Sequence, residues 1–281
     1  MPPPIAAIRF PTGEAVPVLG QGTWTMGEDA RWRKDEIASL RLGIELGMTL
    51  IDTAEMYANG GAERLVAQAI TGRRNEVFLV SKVLPEHATR PGTIAACERS
   101  LRRLRTDRLD LYLLHWREAI PLSQTLEAFD KLLRAGKIRY WGVSNFDLTD
   151  MRELTGSPVG AGVAANEVMY SVKRRGIEYA LMPWCRRQKI TIIAYSPLDQ
   201  GKLVRSRALK DIAVRHDATP AQVALAWLVR QHGVIAIPKA KSKTHVRENR
   251  AALDLRLDKR DLAMLDRVFP PPTKNKPLET T

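Results

Sequence analysis

Short apolar runs rich in β-branched residues recur along the chain, each followed by a stretch whose apolar residues return at helical spacing. The runs cover 18–24, 49–54, 77–83, 109–116, 138–146, 163–170, 190–197 and 234–239. The early runs start roughly thirty residues apart, the size of one strand–helix unit. They are near-continuously apolar rather than alternating, which predicts strands buried on both faces of a parallel sheet. Gly47, Gly72, Gly136 and Gly233 stand just before the next run, where a helix can end in the left-handed conformation. The helix after the fourth run places Leu122, Leu126, Phe129, Leu132 and Leu133 on one face. Thr219-Pro220-Ala221-Gln222 reads as a capping box with proline in the first turn.

Eight such repeats in 281 residues predict an α/β chain forming one (β/α)8 barrel, a single domain over 1–281. A doubly wound open sheet is the rival, but no GxGxxG turn follows an early strand. Segment 8–16, with its Thr12-Gly13 turn, predicts a small hairpin at the barrel bottom. The interval between the seventh and eighth runs is the longest and predicts an extra loop over 198–207. Residues 270–281 form a polar, proline-rich tail.

Composition narrows the class. Hydrophobic residues make up 44% and charged residues 27%, as in ordinary soluble domains. No apolar run approaches a membrane span, and the first residues lack the pattern of a signal peptide. The two cysteines, Cys97 and Cys185, sit in no metal-binding or disulfide spacing. A cytoplasmic protein without a structural metal is expected. The formal net charge of +13 raises the question of nucleic acid. Arg99, Arg102, Arg103 and Arg105, however, alternate with Ile94, Cys97, Leu101 and Leu104, so they read as the wet face of an amphipathic helix. No basic stripe with interleaved aromatics is present, and nucleic-acid binding is disfavoured.

In such a barrel the chemistry gathers at the C-terminal strand ends. Those ends carry Asp52 with Tyr57 after it, Lys82, His115, Ser144 and Asn145, Asn166 and Glu167, Tyr195 and Ser196, and Lys239. Asp52 shares strand parity with Leu50, Lys82 with Val80, and His115 with Leu113, so all three aim inward. Each alone has a bland reading as a cap, a surface lysine or a structural histidine. Together they suit proton delivery to a carbonyl oxygen. An ammonium beside a tyrosine favours its phenolate, a carboxylate fixes the ammonium, and a neutral imidazole can hold the oxygen.

The quartet resembles the active site of the aldo-keto reductases. The resemblance rests on LIDTAEMY with Asp52 and Tyr57, FLVSKV with Lys82, and LDLYLLHW with His115. It extends through Gly22-Thr23-Trp24, WGVSNF (141–146), AANEVMY (164–170), AYSPL (194–198) and IPKAKSKTHVREN (237–249), essentially the whole chain. IDTAEMYANGGAERLV is most similar to bacterial members that reduce methylglyoxal and other small aldehydes. The resemblance implies an extended NADPH across the barrel mouth and reduction of an aldehyde or ketone. Tyr57 is then the proton donor, Lys82 lowers its pKa, Asp52 holds Lys82 and His115 orients the carbonyl. Ser144 and Asn145 match the residues on the nicotinamide carboxamide, with Glu167 beside them, and Tyr195 matches the aromatic that stacks on the ring. Ser196 and Leu198 match pyrophosphate contacts, and Lys239, His245, Glu248 and Asn249 the adenosine end. Gly22, Thr23 and Trp24 also fall on the cofactor side.

Three positions depart from the family pattern. Glu167 stands where glutamine is usual, and a changed NADP+/NADPH affinity ratio is expected. Ala240 replaces a common phosphate-binding serine, and His245 replaces arginine. Both weaken the expected hold on the 2′-phosphate, so NADPH is favoured with room for some NADH use. Trp24, Met56 and Trp116 are expected to line an apolar slot for a small carbonyl substrate. The alternative reading is a regulatory subunit that senses nicotinamide redox state with slow turnover. No interface signature points to an oligomeric partner.

Overall fold

The computed structural model describes residues 5–280. A two-stranded antiparallel hairpin, β1 (Ala7–Arg9) and β2 (Ala15–Pro17), pairs Ile8 with Val16. Eight parallel strands follow in sequential order: β3 (Gln21–Gly22), β4 (Leu50–Asp52), β5 (Phe78–Val83), β6 (Leu109–Leu114), β7 (Ile138–Ser144), β8 (Ala165–Met169), β9 (Thr191–Tyr195) and β10 (Val234–Ala236). A parallel bridge between Leu19 and Ala236 closes the ring, supported by Gly20 N to Ala236 O at 2.8 Å and Ala236 N to Val18 O at 2.9 Å. The helices are α1 (Arg33–Glu45), α2 (Gly61–Ala69), α3 (Arg90–Leu104), α4 (Leu122–Arg134), α5 (Leu148–Thr155), α6 (Leu181–Arg187), α7 (Arg207–Arg215), α8 (Pro220–Val229), α9 (Lys243–Ala251) and α10 (Lys259–Val268). The fold is the expected (β/α)8 barrel with its hairpin.

Strand alternation builds two cores. Leu50, Phe78, Val80, Leu111, Leu113, Tyr140, Ala165, Ile193 and Ile235 fill the barrel interior. The hairpin plugs the bottom: Phe10 lies 5.0 Å from the Phe78 ring and 5.2 Å from Tyr140, at the N-terminal ends of β5 and β7. Residues of opposite parity, among them Ile51, Leu79, Tyr112, Val143 and Ile192, pack outward against the helices. The inward set continues at the top as Asp52, Lys82, His115, Ser144, Glu167 and Tyr195, so the packing of the core aims the polar residues.

The local signals hold. Gly47 and Gly136 take φ of +88° and +67°. Leu122, Leu126, Phe129 and Leu132 are buried on α4, with Leu133 half-buried. Thr219 and Gln222 form both bonds of the capping box on α8. The seventh repeat carries the extra loop as two short turns and then two helices, α7 and α8.

Two expectations need correction. The run over 18–24 yields a strand of only two residues, its start joining β10 through the isolated bridge of Leu19 to Ala236. A Cβ on Gly22 would stand 2.7 Å from the Ile237 carbonyl oxygen. The arginines of α3 are not simply a wet face. Arg103 pairs with Glu63, which is fully buried and also accepts from Ser81 Oγ at 2.7 Å. Arg99 stands 3.5 Å from the buried Glu55. These arginines neutralise carboxylates enclosed between helix and strand. Cys97 and Cys185 are free and buried. Among the described residues no helix is long and apolar enough to cross a membrane, and no cluster of ligating side chains could hold a metal.

Candidate active site

Three adjacent strands bring the quartet together. Asp52 ends β4, Lys82 is the penultimate residue of β5, and His115 follows β6. The chain after Asp52 runs on beside β5, with Thr53 N bonded to Val80 O and Glu55 N to Lys82 O, before turning at Tyr57 N to Ala54 O. That turn sets the Tyr57 ring over the lysine. Lys82 Nζ donates to Asp52 at 2.6 and 2.7 Å, to the Thr53 carbonyl at 3.2 Å and to Tyr57 Oη at 3.5 Å. The His115 ring lies edge-on to Tyr57 at 5.8 Å and against Trp116 at 4.9 Å.

Burial governs the electrostatics. Lys82 has no solvent exposure, and Asp52 has 2%. Burial alone would lower the Lys82 ammonium, but the carboxylates around it, Asp52 foremost, outweigh burial and hold the charge in place. At Tyr57 the lysine acts as expected, but burial opposes it. Lys82 does pull its pKa down, yet burial, with Asp52 and Glu167, carries it above the ordinary tyrosine value. Tyr57 therefore keeps its proton at neutral pH and can give it only to a strong base such as a nascent alkoxide. Burial and Lys82 push His115 down to about 2, so its ring is neutral. His115 Nδ1 is buried without a partner, and a lone pair is tolerated there better than an N–H, which places the ring proton on Nε2.

Ser144, Asn145, Glu167 and Tyr195 flank the quartet. Ser144 and Glu167 are register partners on β7 and β8. Asn145 takes a φ of +59°, donates to His115 O and to Ser144 Oγ at 3.2 Å each, and accepts from Tyr195 Oη at 2.8 Å. Glu167 joins the quartet directly. Its Oε1 lies 3.3 Å from Lys82 Nζ, within the same enclosed cluster, its carboxyl meets that of Asp52, and Oε2 is buried with no donor facing it. Ser196, with φ of +48°, and Leu198 lead into the loop after β9.

The remaining residues fall where β3 meets β10. Gly22 and Asn249 line one cleft with Pro238 and Ala240. Thr23 is buried and its hydroxyl donates to Asp52 O at 2.9 Å, linking this side to the quartet. Lys239 crosses the seam and donates to Thr25 Oγ1 at 2.8 Å. Burial, together with the nearby Lys241, lowers the Lys239 pKa. His245 is exposed in the first turn of α9, where its amide is capped by Ser242, and Glu248 is half-buried. Trp24 (46% exposed), Met56 (40% exposed) and the half-buried Trp116 stand around the mouth.

Three contributors escaped the sequence reading. Glu55 accepts from Leu84 N and from His87 Nδ1 at 2.9 Å each, so it ties the loop bearing Tyr57 to the loop after β5. Thr25, with φ of +64°, receives Lys239. Asp199 draws Lys173 to 2.9 Å and Arg174 to 3.3 Å, fastening the loop after β9 to the one after β8. No spacing marked these three, because each partner comes from a different strand–helix unit.

Comparison with known proteins agrees with this geometry. Residues 18–269 match the model of the aldo/keto reductase family. Methylglyoxal reductase YeaE of Escherichia coli is 53% identical over 94% of this chain and 95% of its own length. Glyoxal reductase of Bacillus subtilis is 34% identical over 92% and 91%. An aldo-keto reductase from Klebsiella pneumoniae, solved in complex with NADPH, superposes with a TM-score of 0.96 at 50% identity, covering 99% of each chain. On its fold, its strand-end quartet and these matches, the chain belongs to the aldo/keto reductase family.

Proposed function

We propose that this enzyme reduces small aldehydes, foremost 2-oxoaldehydes of the methylglyoxal type, to alcohols with NADPH. The observation that carries the reading is Lys82, whose ammonium lies 2.6 Å from Asp52 and 3.5 Å from Tyr57 Oη beside a neutral His115. The surrounding residues fit a nicotinamide. Its carboxamide offers an NH2 donor, and Glu167 Oε2 is a buried acceptor without one. Ser144 and Asn145 stand at the same strand ends, and the Tyr195 side chain lies next to them. Lys239 and Asn249 would hold the adenosine end, with Ser196 and Leu198 along the pyrophosphate. Relatives named for glyoxal and methylglyoxal support the substrate class.

Bound NADPH supplies the hydride for the carbonyl carbon. The protein does the rest. His115 Nε2–H holds the carbonyl oxygen and fixes its direction. Tyr57 Oη–H transfers its proton to that oxygen as negative charge develops on it. Lys82, kept charged by Asp52, stabilises the phenolate that remains. Trp24, Met56 and Trp116 wall an apolar slot suited to a short chain. The tail runs along the start of α5, where Asn275–Glu279 border a cavity of about 350 Å³ with Leu148 and Arg174.

The test follows NADPH absorbance with methylglyoxal and a nitrobenzaldehyde. Tyr57→Phe is expected to lower turnover by ~10²–10⁴-fold, the usual contribution of a positioned acid, with NADPH binding retained. Full activity in the variant would remove Tyr57 from the mechanism. Tight NADPH binding without steady-state turnover in the wild type would favour a redox-sensing subunit instead.

A further inference from the structure

Lys82 has two carboxylates rather than one. Asp52 approaches from β4 and Glu167 from β8, and both are 2% exposed. The other groups facing Glu167 bring no compensating charge. Ser144 on β7 is neutral, Tyr195 on β9 is bonded to Asn145, His115 after β6 is neutral, and Tyr57 holds its proton. With every carboxyl ionised the enclosed cluster would carry one net negative charge, in surroundings where an unpaired charge is costly. Glu167 is the natural site for relief. It stands 3.3 Å from the ammonium, against 2.6 Å for Asp52, its carboxyl meets that of Asp52 at hydrogen-bonding range, and its Oε2 has no donor facing it. Burial, reinforced by Asp52, pushes the Glu167 carboxyl well above the ordinary glutamate value.

A nicotinamide beside Glu167 changes that balance, because the ring is neutral when reduced and cationic when oxidised. We propose that Glu167 carries a proton while the bound nicotinamide is reduced and gives it up once the ring is oxidised, keeping the sealed Asp52–Lys82–Glu167 cluster matched to the cofactor charge. The proposal rests on the cofactor placement argued above. It also supplies the proton that reduction of a carbonyl consumes. Tyr57 O–H breaks as the alcohol O–H forms. A Lys82 N–H then breaks as Tyr57 O–H re-forms, over the 3.5 Å contact. Glu167 O–H breaks as the Lys82 N–H is restored, over the 3.3 Å contact. Glu167 ends as a carboxylate facing the cationic ring, and the proton is taken up from water only when NADPH replaces NADP+.

Calorimetric titration of the protein with NADPH and with NADP+, each in buffers of different ionisation enthalpy, counts the protons exchanged. The 2′-phosphate is common to both nucleotides and cancels. In the wild type the two counts are expected to differ by close to one proton near neutral pH. The ratio of NADP+ to NADPH affinity should then rise up to tenfold per pH unit. In Glu167→Gln both nucleotides are expected to bind with equal counts and a pH-independent ratio. Infrared difference spectra of the two wild-type complexes, which need no variant, should show a protonated carboxyl band with NADPH and none with NADP+. Equal proton counts in the wild type, or a difference that persists in Glu167→Gln, overturn the proposal alone. Failure to bind either nucleotide overturns the cofactor placement beneath it.

Discussion

Lys239 Nζ donates to Thr25 Oγ1 at 2.8 Å, joining two residues far apart in sequence across the seam where β3 meets β10. Thr25 holds a φ of +64°, which costs a β-branched residue about 1–2 kcal/mol and leaves this turn dependent on its partners. The same ammonium is the group expected to meet the 2′-phosphate. Lys239→Ala should weaken NADPH binding ~10–100-fold, the range for a lost hydrogen bond to a charged group, with little effect on NADH. Fluorescence titration with both nucleotides checks this. Equal losses for the two would mean that Lys239 acts on the seam rather than on the phosphate.

His115 carries a stability signature. Its folded-state pKa of about 2 lies below the unfolded value near 6.5. Between those limits the unfolded chain binds a proton at this position and the folded chain does not. Stability therefore rises with pH across the window and falls on acidification, by up to about 1.4 kcal/mol per pH unit from this residue. His115→Gln should flatten that part of the profile in denaturant melts recorded from pH 7 to 5. A slope identical to the wild type would show that His115 takes up its proton without unfolding.

Glu63 and Arg103 form a pair enclosed between α2 and α3. Arg103→Met should destabilise the fold by ~3 kcal/mol, since Glu63 keeps only the Ser81 hydroxyl as partner. Adding Glu63→Gln should recover part of that loss in chemical denaturation. A double variant worse than the single would mean that the carboxylate is needed for the Ser81 contact itself.

Asp199 clasps Lys173 and Arg174, and Arg174 in turn meets Glu279 of the tail at 3.5 Å. The clasp holds the loop after β9, where the pyrophosphate is expected. Asp199→Asn should speed NADP+ release about fivefold, in keeping with ~1 kcal/mol for partly exposed ion pairs. Stopped-flow displacement measures it. An unchanged rate would assign the loop's position to its backbone bonds, such as Asp199 N to Ser196 O at 2.8 Å.

The barrel was legible in the chain because each strand–helix unit carries its own punctuation. Gly47 and Gly136 stop helices through φ values only glycine adopts cheaply, and Thr219 with Gln222 starts one through a local bond pair. The inward aim of Asp52, Lys82 and His115 followed from strand parity, which is a property of two or three neighbouring residues. What the sequence could not determine depends on distances between units. Parity shows that Asp52 and Glu167 both point inward, but only closure of the ring brings β8 across from β4 and sets Glu167 against the ammonium of Lys82. The raised pKa of Tyr57 has the same origin. A lysine neighbour lowers it and was visible in the motif, while the burial that outweighs that neighbour exists only once the mouth is packed. Arg103 likewise looked like a solvated helix residue until α2 placed a buried carboxylate beneath it. Local rules of helix, strand and turn therefore decided the architecture. The charge state of the site was decided by tertiary structure, because desolvation and Coulomb interaction depend on which groups share an enclosed space.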